Sequence, residues 1–365
     1  MKNNILIITG GTGGHVIPAS NFYNYVKKHK DNIYLLTDKR GIKFVKNYDQ
    51  SNIYIIQSSH LSGSIFFKLK GIFKLITGFF HSLIIFIKIR PKIIISFGSY
   101  ASLTPLICFI FFKFFLKTKL YIHEQNSIMG QTNKLFAYFS EYIFLNFERK
   151  YLNIKKNPEK ILIVGLPKNE IRIKDYDYEN KEKKKINFLV YAGSQGSIDI
   201  LFIFTAIINA LANKNKQNNI KFIVQCTKAK QNQITKLLSK HKYEFQISSF
   251  FYDFENILEK SDIALCRSGA GTITDLIDFN IPAILAPLPS SKNNHQFENA
   301  KILTDINSAI IVDKDHLDLN QINIFIDKVI NDKNFKKSLI DDFKKIRKNE
   351  ANEIMWKIIK DDTKI

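Results

Sequence analysis

The feature that excludes most folds is a rhythm. Short apolar runs alternate with longer helical stretches along nearly the whole chain. Runs at 5–8, 33–36, 53–56, 93–96, 120–122, 142–145 and 161–164 read as strands. A charged segment at 174–185 reads as a linker. The rhythm then restarts with runs at 187–191, 221–224, 245–248, 263–265, 283–285 and 309–312. Continuous apolar runs are the pattern of strands covered on both faces, and alternation with helices makes the sheets parallel. The expectation is an α/β protein with two doubly wound, Rossmann-like domains facing a cleft, ligands binding at the carboxyl ends of the strands. The N-terminal domain is expected over 1–165, the second over 166–340, and a helical tail over 341–365. A chain of 365 residues suits two domains.

Three of the expected strands run straight into glycine-rich turns. The first meets Thr9-Gly10-Gly11-Thr12-Gly13-Gly14-His15. Glycine lets a backbone approach a ligand closely, and the helix that follows offers free N–H groups to phosphate. Phosphate or sugar binding, a dinucleotide fingerprint and a plain tight turn all remain open here. The third glycine of GxGxxG would fall on Val16, while Asp38 at the end of the second strand could imitate the ribose-binding acid. The second domain opens alike, with Ala192-Gly193-Ser194-Gln195-Gly196, and Cys266-Arg267-Ser268-Gly269-Ala270-Gly271-Thr272 follows a later strand. Asp275, one turn into that helix, suits ribose hydroxyls or simply the helix dipole. His123-Glu124-Gln125-Asn126, after the strand at 120–122, is either a cleft cluster or a satisfied loop network. His15 beside the first loop is the natural general base, an imidazole being suited to proton removal at neutral pH. No DxD-like acidic pair lies near these loops, so a bound catalytic metal is not expected; no cofactor is expected either.

Hydrophobic residues make up 45% of the chain, which excludes a mostly disordered polypeptide. The first apolar run, 5–8, is too short for a signal peptide and reads as a buried strand. Three dispersed cysteines, Cys108, Cys226 and Cys266, argue against a disulfide scaffold and fit a reducing compartment. The net charge of +21, from 54 Lys and Arg against 33 Asp and Glu, predicts an acidic partner. Its placement narrows the choice. Between Gln50 and His123 there is no Asp or Glu, and nine basic residues are interleaved with many phenylalanines. Residues 65–89 read as one amphipathic helix, with Ile65, Leu69, Ile72, Ile76, Phe79 and Leu83 facing the core and Lys70, Lys74, His81 and Lys88 along one flank. Its longest uncharged run, 75–87, is too short to cross a bilayer. A second apolar helix at 103–116 is expected to break at Pro105 and Lys113. The basic helix is either a buried α/β helix with a solvated edge or one that lies on an anionic membrane. Nucleic acid is not expected, since the patch nearly lacks Arg.

Taken together, the stretches at 10–19, 96–100, 123–126 with 132–134, 193–196, 266–270 and 295–300 resemble the peripheral-membrane N-acetylglucosaminyltransferases of peptidoglycan synthesis, glycosyltransferase family 28, in order and in spacing. The resemblance implies the GT-B fold, UDP-N-acetylglucosamine as donor, and lipid I (undecaprenyl-diphospho-MurNAc-pentapeptide) as acceptor. It implies a peripheral location on the cytoplasmic face of the bacterial inner membrane. Thr12, Gly13 and Gly14 would meet the sugar end, with Asn126 on the sugar and Ser194 near the diphosphate. The main chain near Tyr252 would pair with uracil. Ala270, Gly271, Thr272 and Asp275 would take diphosphate and ribose, and Gln296 the sugar hydroxyls. The reaction would invert, with His15 as base and Glu124 as second candidate. A diacylglycerol-directed glycolipid synthase and a membrane-binding homologue weakened in catalysis are the alternatives. The family's Gly-Asn-Pro-Val-Arg stands here as Gly165-Leu166-Pro167-Lys168-Asn169, without the donor-contacting Arg. Lys168 and Arg172 are the nearest basic substitutes. The family's Arg after the second glycine loop is Ile198, and its Glu is the shorter Asp275.

Overall fold

In this computed structural model residues 3–45, 50–58, 65–148, 157–169, 185–191, 197–212 and 219–364 are described. The expected linker and the Ala192–Gly196 turn lie outside them, as does Arg172. The chain divides into two compact units, Met1–Ile171 with Lys348–Ile365, and Arg172–Arg347.

The first unit is built on β1 (Ile5–Ile8), α1 (Gly13–Lys27), β2 (Ile33–Asp38), β3 (Ile53–Ile56), α2 (Ile65–Ile89), β4 (Ile93–Ser96), α3 (Leu103–Leu116), β5 (Lys119–Glu124), α4 (Gln131–Phe136), β6 (Tyr142–Leu145) and β7 (Ile161–Ile163). The strands form one parallel sheet in the order β3-β2-β1-β4-β5-β6-β7. Both faces are covered, as the unbroken apolar runs require. Ile5 and Ile7 of β1 point into one cluster with Phe22, Tyr23 and Val26 of α1. Leu6 and Ile8 point into the other, with Ile85 and Phe86 of α2 and Leu106 and Phe109 of α3. Chain order reverses at β1, whose neighbours are β2 and β4. The turns after β1 and β4 therefore open at the switch point where α/β sheets bind ligands.

The second unit repeats the plan with β8 (Ile186–Tyr191), α5 (Ile198–Ala212), β9 (Ile220–Gln225), α6 (Lys228–Lys240), β10 (Glu244–Ser248), α7 (Phe254–Lys260), β11 (Ile263–Cys266), α8 (Ala270–Asp278), β12 (Ala283–Leu285), α9 (His295–Thr304), β13 (Ala309–Ile311), α10 (Leu319–Asn331) and α11 (Lys333–Ile346). Its parallel sheet runs β10-β9-β8-β11-β12-β13, so its switch point lies between β8 and β11.

The tail is not one separate body. Residues 341–346 finish α11 in the second unit, whereas α12 (Ala351–Thr363) returns to the first. Its Met355, Trp356 and Ile359 join the α1 side of the core. Asp362 accepts bonds from the Tyr121 hydroxyl (2.6 Å) and Lys119 Nζ (2.9 Å).

Helix α2 is turned from the expected phase. Gly78, Ser82, Ile85, Phe86 and Ile89 face inward, and Phe79 and Leu83 pack half-buried at the edge of the core, while Ile72 and Ile76, also expected there, are exposed with Phe73, Phe80, Ile84 and Ile87. The reason is close packing. A Cβ at Gly78 would collide with the Gln57 carbonyl, so the small residues take the inner face, and a helix apolar all round carries little phase information. The side chains of 65–70 lie outside the described residues. Gly71–Ile89 does reach the length and apolarity of a membrane span, which the uncharged run 75–87 alone does not. Its buried Ser82 and Phe86 make it a layer of the first unit. Helix α3 is continuous. Pro105 sits in the first turn, where its missing N–H has no intrahelical partner to lose. Lys113 bends its ammonium back over the Phe109 and Phe139 rings, at 5.9 and 5.7 Å.

Candidate functional site

In the first unit β1 feeds the glycine turn and α1 begins at Gly13 with Thr12 as an uncapped N-cap and no acid in the first turn. Its first N–H groups are thus available to an anion or a sugar oxygen. Two close approaches explain the glycines. A Cβ at Gly10 would strike Ala101, and Gly11, at φ +81°, lies against Ser99. Ser99 itself is held at φ 80°, ψ 161°, a region that glycine normally occupies, so the turn after β4 stores strain beside the first turn.

Asp38 fixes this assembly. It is buried, and its Oδ1 accepts from the backbone N–H of Gly11 (2.9 Å) and Gly41 (2.8 Å), its Oδ2 from Ser58 Oγ (2.7 Å) and Arg40 Nε (3.0 Å). A carboxylate so engaged does not imitate a ribose-binding acid; it holds the loop. Burial alone would raise its pKa, but the bonds from Gly11, Ser58, Gly41 and Arg40 outweigh burial and lower it. The stabilisation is therefore present above the unfolded carboxylate value of about 4 and is lost as pH falls through the lower folded value. Asp38→Asn is expected to cost about 1–3 kcal/mol in urea unfolding at pH 7, with the gap to wild type closing below about pH 4. A gap that widens on acidification would refute this.

His15, on the first turn of α1, places Nδ1 2.9 Å from Phe97 O and 2.7 Å from Gln125 Oε1. The strand expected at 120–122 runs on to Glu124, so His123 and Glu124 are strand residues, fully buried, rather than loop residues. Glu124, expected as the second base candidate, has both oxygens engaged. Oε1 accepts from Asn126 N (3.1 Å) and Nδ2 (3.4 Å), and Oε2 from Gly130 N (2.9 Å) and Asn133 Nδ2 (2.9 Å). At 0% exposure it organises the 126–133 loop and presents Asn126 half-exposed. Gly98, at φ +76°, has Asn133 where a side chain would stand, so the third loop packs on the second.

In the second unit the turn after β11 is tied to two other segments. Arg267 donates to Ala286 O (2.9 Å), Pro287 O (3.1 Å), Ser197 Oγ (2.7 Å) and Asp199 Oδ2 (2.7 Å). Lys314 pairs with the same carboxylate at 3.1 Å, and the two cations hold the Asp199 pKa down. A cavity of about 410 Å³ opens beside Arg267, Pro287, Phe297 and Lys314. Ser268 Oγ donates to Gln296 O (2.7 Å), Asn299 Nδ2 to Ser268 O (3.1 Å), and Leu288 N to Gln296 Oε1 (2.9 Å). Helix α8 starts after Gly269 without a side-chain cap or an acid in its first turn. A Cβ on Gly271 would meet nothing within 4 Å, so that end is open. Thr272 and Asp275 are half-exposed behind it. Ala270, Gly271, Thr272, Asp275 and Gln296 are thus gathered at one switch point. Tyr252 stands on the loop after β10, at the sheet edge and 97% exposed, with its ring against Phe250. Ser194 lies outside the described residues. Cys266 and Cys108 are buried thiols pushed up to about 12 by burial, so neither is a nucleophile. Among the described residues no cluster of three or more His, Cys, Asp or Glu is placed to hold a metal.

Sequence reasoning gave no role to Arg267, Asp199 or Gln125, and read Asp38 only as a ribose mimic. Asp38 bonds to Gly11, Gln125 to His15 and Arg267 to Asp199, all distant in sequence, so only a strand order predicts these partners.

Comparison with known proteins matches residues 5–145 to the glycosyltransferase family 28 N-terminal domain and 187–355 to the glycosyltransferase family 28 C-terminal domain. A UDP-N-acetylglucosamine--N-acetylmuramyl-(pentapeptide) pyrophosphoryl-undecaprenol N-acetylglucosamine transferase of Wolbachia pipientis is 33% identical over 85% of both chains. The like-named protein of Rickettsia canadensis is 30% identical over 86% of both. The crystal structure of Acinetobacter baumannii MurG superposes with a TM-score of 0.79 at 20% identity, covering 99% of this chain and 100% of that one. Two doubly wound sheets with glycine turns at their switch points are what this architecture requires, and the chain belongs to glycosyltransferase family 28.

Proposed function

We propose that this protein transfers N-acetylglucosamine from UDP-N-acetylglucosamine to the C4 hydroxyl of the MurNAc residue in lipid I, with inversion, giving lipid II. The observation that carries the reading is His15. Its Nδ1 is engaged by two oxygen acceptors, which leaves Nε2 as the basic nitrogen, beside an uncapped helix N-terminus at a sheet switch point. The names of the relatives fit the same chemistry. His15 Nε2 takes the acceptor proton as the hydroxyl oxygen attacks the anomeric carbon and UDP departs. Thr12, Gly13 and Gly14 line the first-unit turn, with Asn126 held toward the sugar by Glu124. In the second unit Ser194 and the N-terminus of α8 at Ala270, Gly271 and Thr272 take the diphosphate. Asp275 takes ribose, the main chain near Tyr252 takes uracil, and Gln296 takes the sugar hydroxyls. Purified protein with labelled donor should transfer sugar to lipid I and not to diacylglycerol. Transfer to diacylglycerol alone would replace this reading with a glycolipid synthase, and no transfer with retained vesicle binding would replace it with a non-catalytic homologue.

The acceptor carries a lipid, and the first unit has a surface that suits it. Phe73, Phe80 and Ile84 of α2 and Phe111, Phe114 and Phe115 of α3 are exposed, Phe115 at 88%, and the two helices meet through the Phe79 and Phe111 rings at 6.3 Å. Lys74, Lys88 and Lys117 rim these helices. This supports peripheral binding to the anionic cytoplasmic face of the membrane, Phe at acyl depth and Lys at headgroups. Replacing Lys70, Lys74 and Lys88 together with Glu should weaken sedimentation with anionic vesicles about 100-fold, at roughly 1 kcal/mol per lost Lys. Unchanged sedimentation would place the membrane face elsewhere.

A further inference from the structure

A chain of directed hydrogen bonds runs through the first unit from Gly165 to His15. His123 Nε2 lies 2.9 Å from Gly165 O. A carbonyl oxygen only accepts, so this nitrogen carries the proton, and Nδ1 of the neutral ring is an acceptor. Gln125 Nε2 sits 3.2 Å from that Nδ1 and 3.1 Å from His123 O. Both are acceptors, so the amide nitrogen faces them and the amide oxygen faces His15 Nδ1, at 2.7 Å. Phe97 O is the second acceptor on the same His15 nitrogen. Two acceptors require a proton on Nδ1 and leave the lone pair on Nε2. The His123 ring is stacked on Phe97, with centroids 5.0 Å apart at 27°, and is fully buried. Burial pushes it down to about 4, against the Gly165 bond and the charge of Glu124, so it stays neutral where the enzyme works. A doubly protonated His123 would turn the Gln125 amide over and face His15 Nδ1 with a donor.

We propose that His123 and Gln125 are positioning residues that hold His15 in the Nδ1–H tautomer and stabilise the imidazolium it forms, the Gln125 oxygen doing without charge what a carboxylate does in a Ser-His-Asp triad. This rests on His15 being the base. The acceptors that orient a metal-bound imidazole matter about 10- to 100-fold, and the same scale is expected for this ring.

The test is nitrogen NMR of the full chain labelled with 15N-histidine, with His15 assigned by loss of its signals in His15→Gln, alongside kinetics and thermal melts. Wild-type His15 should show a protonated Nδ1 and an unprotonated Nε2. In His123→Leu and Gln125→Leu the His15 shifts should move toward a tautomer mixture and kcat should fall about 10- to 100-fold, with KM for UDP-N-acetylglucosamine unchanged. His123→Asn, whose Oδ1 can accept from Gln125, should recover most of kcat. If His123→Leu does not fold, Gln125→Leu carries the same expectation. Folded variants with unchanged His15 shifts and unchanged kcat overturn the relay while leaving His15 as base. Wild-type kcat in His15→Gln overturns the base instead, and the shifts then report on the relay by themselves.

Discussion

His15→Gln is expected to lower kcat for sugar transfer by 10²- to 10⁴-fold, about 3–5 kcal/mol of transition-state stabilisation. Glutamine keeps a donor for Phe97 O but has no lone pair basic enough to take the acceptor proton. Among the described residues nothing else in the first-unit site replaces it. Glu124 is buried with four donors on its carboxylate. His123 is buried with its Nε2 proton committed to Gly165. KM for UDP-N-acetylglucosamine should change little, because the nucleotide-binding residues proposed here belong to the second unit. Steady-state kinetics with lipid I decides the matter, and a loss under threefold would remove His15 from the chemistry.

Trp356→Ala should destabilise the first unit by about 3–5 kcal/mol, the range for deleting a large buried aromatic. Trp356 is 3% exposed and belongs to the buried cluster that includes Phe22 and Tyr23 of α1 and Tyr121 and Phe144 of the sheet. The helix that carries it is further tied down through Asp362, whose bonds to Tyr121 and Lys119 lie near its far end. Urea unfolding followed by tryptophan-independent circular dichroism measures the loss. A change below 1 kcal/mol would mean that α12 is an appendage rather than a wall of the first unit.

The thirteen strands among the described residues were legible because a strand covered on both faces leaves a short apolar run; the edge strand β10, with Gln246 and Ser248 in it, departs from that pattern. The glycine turns after β1 and β11 were legible for the same local reason: they follow a strand and precede a helix. Three features were not. The inner face of α2 depends on how near Gln57 comes to Gly78, and in a helix apolar on every side no stripe betrays it. The continuity of α3 depends on Pro105 falling in the first turn, a matter of one or two residues in where the helix begins. The return of α12 to the first unit depends on long-range packing by Trp356, for which the sequence 351–363 has no local mark. At the site, His15 stood out by chemistry. The roles of Asp38 and Gln125 emerge only when β1, β2, β4 and β5 are laid side by side, since each bonds to residues 27 or more positions away.

One imidazole acting on the acceptor implies a single displacement at the anomeric carbon. The configuration of the product tests that most directly. Proton NMR of the disaccharide released from product made with α-linked UDP-N-acetylglucosamine and lipid I should show a β-linked N-acetylglucosamine. An α linkage would demand a second nucleophile that the account does not contain, and would contradict it.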